Sequence, residues 1–96
     1  MNREIMFSQS LLRMARAEQK KAGIKLGKLS TFNCGSHGSM GNPTFEIYSS
    51  DKRGSYVAFV KAGDAYEAKA NYILSMVQIS NGGLPCHNVQ LADATK

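Results

Sequence analysis

The sequence predicts an α+β fold in which one small domain packs two helices against an antiparallel sheet. First, the chain has 96 residues, 43% hydrophobic and 20% charged, which is the size and composition of a single globular domain. Second, segments near both ends carry apolar residues at the three- and four-residue steps of an amphipathic helix. Third, the segments between them are rich in the β-branched and aromatic residues of strands. The expected order over residues 1–96 is α-β-β-β-α, with room for an extra C-terminal strand.

The first predicted helix is basic and covers about residues 3–22, ending where Gly23 offers a left-handed C-terminal residue. Its apolar stripe, which we expect to face the core, consists of Phe7, Leu11, Met14 and Ala15, widened by Leu12. Arg13, Arg16 and Lys20 are spaced i, i+3 and i+7, so they share a second face beside that stripe. One side of the helix is therefore predicted to pack, while the other meets water or an anionic partner.

The middle of the chain predicts three strands and one long loop. A short strand at Lys28–Phe32 precedes a loop at 33–43, which contains three glycines and few residues that could pack. Because long loops in compact domains are often functional, this loop is a candidate for ordering on a partner. The clearest signal is a hairpin at 44–60, whose two β-rich strands flank a turn. Alternate residues of its first strand, beginning with Phe45, should face one way, and those beginning with Glu46 the other.

The second predicted helix, residues 64–80, should be the centre of the core. Asp64 is its expected N-cap, and Glu67 completes a capping box three positions later. Its main apolar stripe is formed by Ala65, Ala68, Tyr72, Met76 and Ile79, with Ile73, Leu74 and Val77 on further sides. A helix this apolar could also bury one side in a homodimer. Two glycines end it, and the tail 84–96 offers a short strand at 88–92.

Charge is unevenly distributed along the chain. Residues 1–28 contain seven Lys and Arg residues against two Asp and Glu residues, so they carry the whole formal net charge of +5. The predicted contact residues for an anionic partner are Arg13, Arg16, Lys20, Lys21, Lys25 and Lys28. A solvated basic face that keeps a small protein in solution is the alternative interpretation.

No segment resembles a signal peptide or reaches the apolar length of a membrane span, so we expect a cytoplasmic protein without membrane contact. In that compartment the two cysteines are expected to be free thiols. A tetrahedral zinc site would find its ligand types in Cys34, His37, Cys86 and His87. Adjacent cysteine and histidine ligands are unusual in such sites, and we predict no metal or other cofactor. With no nucleophile signature and no carboxylate pair, the sequence predicts a binding protein and not an enzyme.

The α-β-β-β-α order, together with Glu67-Ala68-Lys69 near the start of the second helix, resembles the double-stranded RNA-binding domain. The resemblance covers most of the chain in element order but only these three residues in pattern. It implies a similar fold, and in that family a run of lysines at the second helix start spans the RNA phosphates. This sequence has Asp64, Ala65 and Tyr66 at the corresponding place.

In size and in its lack of catalytic motifs, the chain is similar to small inhibitors encoded by bacteriophages, such as anti-CRISPR proteins. Our leading hypothesis is therefore a non-enzymatic interaction protein, encoded by a phage or mobile element, that binds and inhibits a host protein or nucleoprotein complex. The contact would include the basic helix, with Tyr48, Tyr56 or the loop at 35–41 beside it. The alternative hypothesis is a nucleic-acid-binding domain that uses the same helix for phosphate contacts.

Overall fold

Two helices and four strands make up the computed structural model, which describes residues 3–35, 41–51 and 55–92. The elements, in chain order, are α1 (Arg3–Ala22), β1 (Leu29–Asn33), β2 (Thr44–Ser49), β3 (Tyr56–Lys61), α2 (Ala65–Ser80) and β4 (Val89–Leu91). This order confirms the predicted α+β fold, and the optional C-terminal strand is present. Strands β1 and β3 each begin and end one residue later than the sequence pattern indicates.

The sheet is an antiparallel meander in the order β1-β2-β3-β4. Its register places Ile47 opposite Thr31 on one side and Ala58 on the other, and an irregularity after Ile47 brings Tyr48 opposite Tyr56. The inner face carries the buried side chains of Leu29, Phe45, Ile47, Ala58, Val60 and Val89. The predicted alternation along β2 is therefore confirmed.

Helix α2 lies across the inner face of the sheet, where it contacts all four strands, and α1 packs against α2. The buried residues of α2 are Ala68, Ala70, Tyr72, Ile73, Ser75 and Val77. The predicted stripe is therefore only partly correct, since Ala65, Met76 and Ile79 are half-buried. Because α2 has neighbours on two sides, it buries more than one face, and this accounts within one chain for its apolar character.

The packed face of α1 differs from the predicted stripe. Phe7 and Met14 were expected to face the core, but their side chains are 70% and 51% exposed. Leu11, Leu12 and Ala15 pack as predicted, and Ser8 packs with them in place of Phe7 and Met14. Ser8 and Ala15 are small and almost fully buried, and small side chains allow two helices to approach closely. The Ser8 hydroxyl also donates a 2.7 Å hydrogen bond to Asp64 Oδ2, which ties α1 to the start of α2.

The predicted cap of α2 is confirmed. Asp64 Oδ1 accepts a 2.9 Å hydrogen bond from the Glu67 backbone N–H, and Glu67 Oε1 accepts a 2.7 Å bond from the Gly63 N–H. At the other end Gly82 has a φ of 88°, the left-handed conformation that favours glycine after a helix. Local hydrogen bonding therefore sets both ends of the helix.

We expect Asp64→Ala to lower the free energy of unfolding by about 1–3 kcal/mol, because it removes the cap and leaves the buried Ser8 hydroxyl without its acceptor. Urea unfolding followed by circular dichroism measures this change. Asp64→Asn is the matched control, since an asparagine side chain can still cap the helix. Equal stability of the alanine variant and the wild-type protein would contradict the prediction.

The predicted loop at 33–43 starts later than expected. Asn33 belongs to β1, and the ladder continues beyond it, because the Cys34 N–H donates to the Thr44 carbonyl at 2.8 Å and the Thr44 N–H donates to the Gly35 carbonyl at 3.1 Å. Residues 36–40, which contain most of the predicted contact loop, lie outside the described part of the chain. Within that part, neither helix combines the length and the apolar character needed to cross a membrane.

Candidate functional site

The outer surface of α1 carries the basic residues that the sequence pattern singled out. Arg13, Arg16 and Lys20 are all exposed, and their helical spacing places them on one side of the helix. In the part of the chain that the structure describes, the ion pair joins Lys21 Nζ to Glu18 Oε2 at 3.8 Å. Among the described side chains, none of the other three residues forms an ion pair, and Arg13 Nη2 donates a 3.1 Å hydrogen bond to Ser10 Oγ.

Two large apolar side chains, Phe7 and Met14, are also exposed on α1, although the sequence pattern does not mark them as contact residues. They are seven positions apart, so they occupy one side of α1 two turns apart. At about 100° of rotation per residue, Met14 lies about 100° around the helix from Arg13 and Phe7 lies on the side opposite Arg16, so the apolar pair and the basic residues occupy different sides of the exposed part of α1. We call Phe7, Arg13, Met14, Arg16 and Lys20 together the outer surface of α1. It combines positive charge with exposed apolar area.

The six predicted basic contact residues do not all lie on the side of α1 that carries Arg13, Arg16 and Lys20. Lys21 lies on the Met14 side of the helix, two turns beyond Met14, and Lys25 follows the end of α1. Lys28 directly precedes β1, where its backbone N–H donates to Ser50 Oγ at 2.8 Å and its carbonyl accepts from the Ser50 N–H at 2.9 Å. Lys28 thus belongs to the end of the sheet.

The face of the sheet opposite α2 is not covered by another described element, and it is rich in aromatic residues. Backbone register aligns Phe32, Glu46, Phe59 and Gln90 in one row across the four strands. The next row in one direction contains Ser30, Tyr48 and Tyr56. We call Phe32, Glu46, Tyr48, Tyr56 and Phe59 the outer sheet face. Phe32 is 60% exposed and Tyr56 is 37% exposed, so much of this aromatic surface meets solvent.

Contacts between neighbouring side chains order this face. The ring centroids of Tyr56 and Phe59 lie 4.4 Å apart at an angle of 42°. The Tyr48 hydroxyl donates a 2.6 Å hydrogen bond to Glu46 Oε1. This bond, with the negative charge of Glu46, raises the pKa of Tyr48 above its ordinary value. Glu46 lies between Phe32 and Phe59 in their row of the sheet, and its side chain keeps acceptor capacity beyond the bond from Tyr48.

An open groove of about 690 Å³ lies at the edge of the outer sheet face, lined in part by Glu46, Phe59 and Lys61. Cys34 and His87 also line it, while Cys86 lines a neighbouring depression that shares His87. Both cysteines are free thiols, as predicted.

The predicted metal candidates are only partly brought together. Within residues 3–35, 41–51 and 55–92, no three His, Cys, Asp or Glu side chains converge as a metal site. His37, the fourth candidate, lies outside these ranges. The two thiols donate to backbone carbonyls instead, Cys34 to that of Phe32 at 3.9 Å and Cys86 to that of Asn71 at 3.8 Å.

Comparison with known proteins gives no assignment. The chain matches no protein-family model, no curated protein sequence and no solved structure.

Proposed function

We propose that this chain is a non-enzymatic interaction protein that binds an acidic surface of a host protein, or of the protein part of a nucleoprotein complex, and inhibits that partner by occupying the surface. The outer surface of α1 is the proposed contact. The observation that carries the proposal is that Phe7, Met14 and Arg13 are all exposed on one helix. Aromatic residues, methionine and arginine are the residue types enriched in protein interfaces.

The apolar side chains favour a protein partner over a phosphate backbone. A partner that covered Phe7, which is 70% exposed, would remove apolar area from water, and full burial of such a side chain contributes about 1.5–3 kcal/mol. A phosphate backbone offers no comparable apolar surface. The arginines would add complementarity to acidic groups and would speed the encounter.

The inhibitory role and the cytoplasmic setting follow from the sequence hypothesis of a phage or mobile-element protein that resembles anti-CRISPR inhibitors. The described thiols support binding over catalysis, because each donates to a backbone carbonyl and not to a base that could activate it. A small protein without chemistry of its own acts on a larger complex by covering a surface that the complex needs.

The direct test is inhibition of target-DNA cleavage by purified CRISPR–Cas nucleoprotein complexes, with the affinity for the inhibited complex measured by interferometry. We expect Phe7→Ser and the double variant Arg13→Glu/Arg16→Glu each to weaken binding about tenfold or more. Lys69→Glu, on α2, is the charge-matched control for a single arginine reversal and should bind as the wild-type chain does. Full binding by Phe7→Ser would contradict a protein interface on α1.

The second candidate function is direct nucleic-acid binding through α1. The specific observation is that Arg13, Arg16 and Lys20 are exposed without a neutralising ion pair among the described residues. This function predicts that the affinity for duplexes falls steeply as the salt concentration rises, because binding depends on counterion release. The affinity should also be independent of the nucleotide sequence. A mobility shift across a salt series distinguishes the two: salt-independent binding, or a loss caused by Phe7→Ser, would argue against phosphate contacts.

A further inference from the structure

We infer that the outer sheet face binds single-stranded nucleic acid, with bases stacked on its aromatic rings and phosphates held by lysines at its two ends. This inference concerns the surface opposite α2 and does not depend on the proposed function of α1. Four aromatic side chains from three adjacent strands share the face: Phe32, Tyr48, Tyr56 and Phe59. Exposed rings on an antiparallel sheet form a platform on which unpaired bases can stack.

The spacing of the rings suits successive bases. Phe32 and Phe59 lie in one row with β2 between them, so their backbones are about 10 Å apart across the sheet. Tyr48 and Tyr56 occupy the adjoining row. The rings are thus distributed over an area larger than one base, with Phe32 at its outer edge 60% exposed. A single strand crossing the face would meet more than one ring.

The charges at the two ends of the face match a phosphate backbone. Alternation along the chain places Lys28 on the same side as Ser30 and Phe32, at one end. At the other end the exposed Lys61 lies opposite Thr44 and lines the groove beside Phe59. Both lysines are exposed, and the whole chain has a formal net charge of +5. A strand spanning the face would place phosphates near both ammonium groups.

Glu46 determines which bases fit the centre of the face. A carboxylate there repels phosphate, so the backbone must pass to its sides, and the group nearest Glu46 must be a base. Carboxylates accept hydrogen bonds from exocyclic amino groups, such as N4 of cytosine. Uracil and thymine present no such donor group. The face should therefore prefer cytosine-containing strands over those made only of uracil or thymine.

Fluorescence anisotropy with the full chain tests this inference, using labelled oligonucleotides of about ten nucleotides: oligo(C), oligo(U), oligo(dC), oligo(dT) and an RNA duplex. We expect oligo(C) or oligo(dC) to bind about tenfold tighter than the duplex. The comparison of the two sugars tells whether RNA or DNA is the better ligand. The chain has four tyrosines and no tryptophan, so stacking on Tyr48 or Tyr56 should also quench the intrinsic tyrosine fluorescence.

Three variants show which residues are responsible for binding and for base preference. Phe32→Ser, at a position that is 60% exposed and does not support the core, should weaken binding about tenfold. Glu46→Gln should retain binding but lose the preference for cytosine. Phe7→Ser, which removes an exposed phenylalanine from α1, is the control and should leave binding unchanged.

Several outcomes would overturn the inference. Failure of every single strand to bind is one, and binding that survives Phe32→Ser is another. Loss of binding through Arg13→Glu/Arg16→Glu with Phe32→Ser unaffected would assign the nucleic acid to α1. Because the proposed function is tested by binding to a protein complex and this inference by binding to oligonucleotides, each proposal can fail while the other stands.

Discussion

Replacement of Ile73 with alanine is expected to lower the free energy of unfolding by about 3–5 kcal/mol. Ile73 is one of the largest side chains with no exposed surface, and it lies on α2, the helix that packs against both α1 and the sheet. Truncation removes apolar burial and leaves a cavity. Because α2 is packed on two sides, the structure cannot readily close around the missing atoms. The loss in free energy of unfolding should therefore lie in the upper part of the range for such truncations.

The matched control is Ile79→Ala on the same helix, where the side chain is only half-buried. We expect it to cost less than about half as much, since its neighbours and solvent can fill the space. Urea titration of both variants, followed by far-ultraviolet circular dichroism, should lower the midpoint with little change in slope. Equal destabilisation by the two substitutions would contradict the deeper burial of Ile73.

Gly27→Ala is expected to destabilise the fold by about 1–3 kcal/mol for a steric reason. A Cβ atom at Gly27 would lie 2.6 Å from Ser50 Oγ and 2.8 Å from the Asp51 backbone nitrogen. The serine side chain could turn away, but the backbone nitrogen could move only with the end of the β1–β2 ladder. Gly27 does not have a positive φ, so the close approach of the two segments, and not backbone conformation, requires glycine here.

The control for this prediction is Gly63→Ala, where the nearest atom is the end of the Glu67 side chain at 3.2 Å. A flexible side chain can give way, and we expect a cost below about 1 kcal/mol. Adding Ser50→Ala to Gly27→Ala should restore only part of the stability, because the contact with the Asp51 nitrogen remains. A double variant as stable as Ser50→Ala alone would place the whole clash at the hydroxyl.

The elements that the sequence predicts well are those with local causes. The hairpin of β2 and β3 is recognisable because two β-rich runs flank a turn, and α2 because Asp64 and Glu67 cap its start. These signals act within a few residues of the chain, so no tertiary information is needed to interpret them. The ends of β1 and β3 depart from the pattern by one residue, since ladder hydrogen bonds with a neighbouring strand extend or shorten a strand.

The packed face of α1 could not be chosen from spacing alone. A stripe of Phe7, Leu11, Met14 and Ala15 and a stripe of Ser8, Leu11, Leu12 and Ala15 both fit helical spacing, and hydrophobicity favours the first. In the structure the second stripe is the packed one, and which side of α1 packs depends on α2, a helix far along the chain. Exposure of Phe7 and Met14 is therefore a tertiary result, and it changes the proposed contact surface.

The outer sheet face was only partly foreseen for a similar reason. Tyr48 and Tyr56 were predicted as contact residues beside the basic helix, whereas Phe32 and Phe59 were not. Their joint position depends on strand register and on α2 covering the other face of the sheet, and no single strand's sequence determines either. The same register brings Cys34 and His87, far apart in sequence, to one groove.

The hydrogen bond between Ser8 and Asp64 joins residues 56 positions apart, and it has a consequence for folding order. Helix α1 leaves the ribosome first, but α2, against which it docks, is synthesised only after three strands. Loop-closure entropy delays contacts between such distant segments, whereas neighbouring strands of a meander pair early. Docking of α1 is therefore expected to be a late step, and reversible undocking the lowest-energy opening of the native state. Backbone amides of α1 should then exchange with deuterium sooner than those of α2.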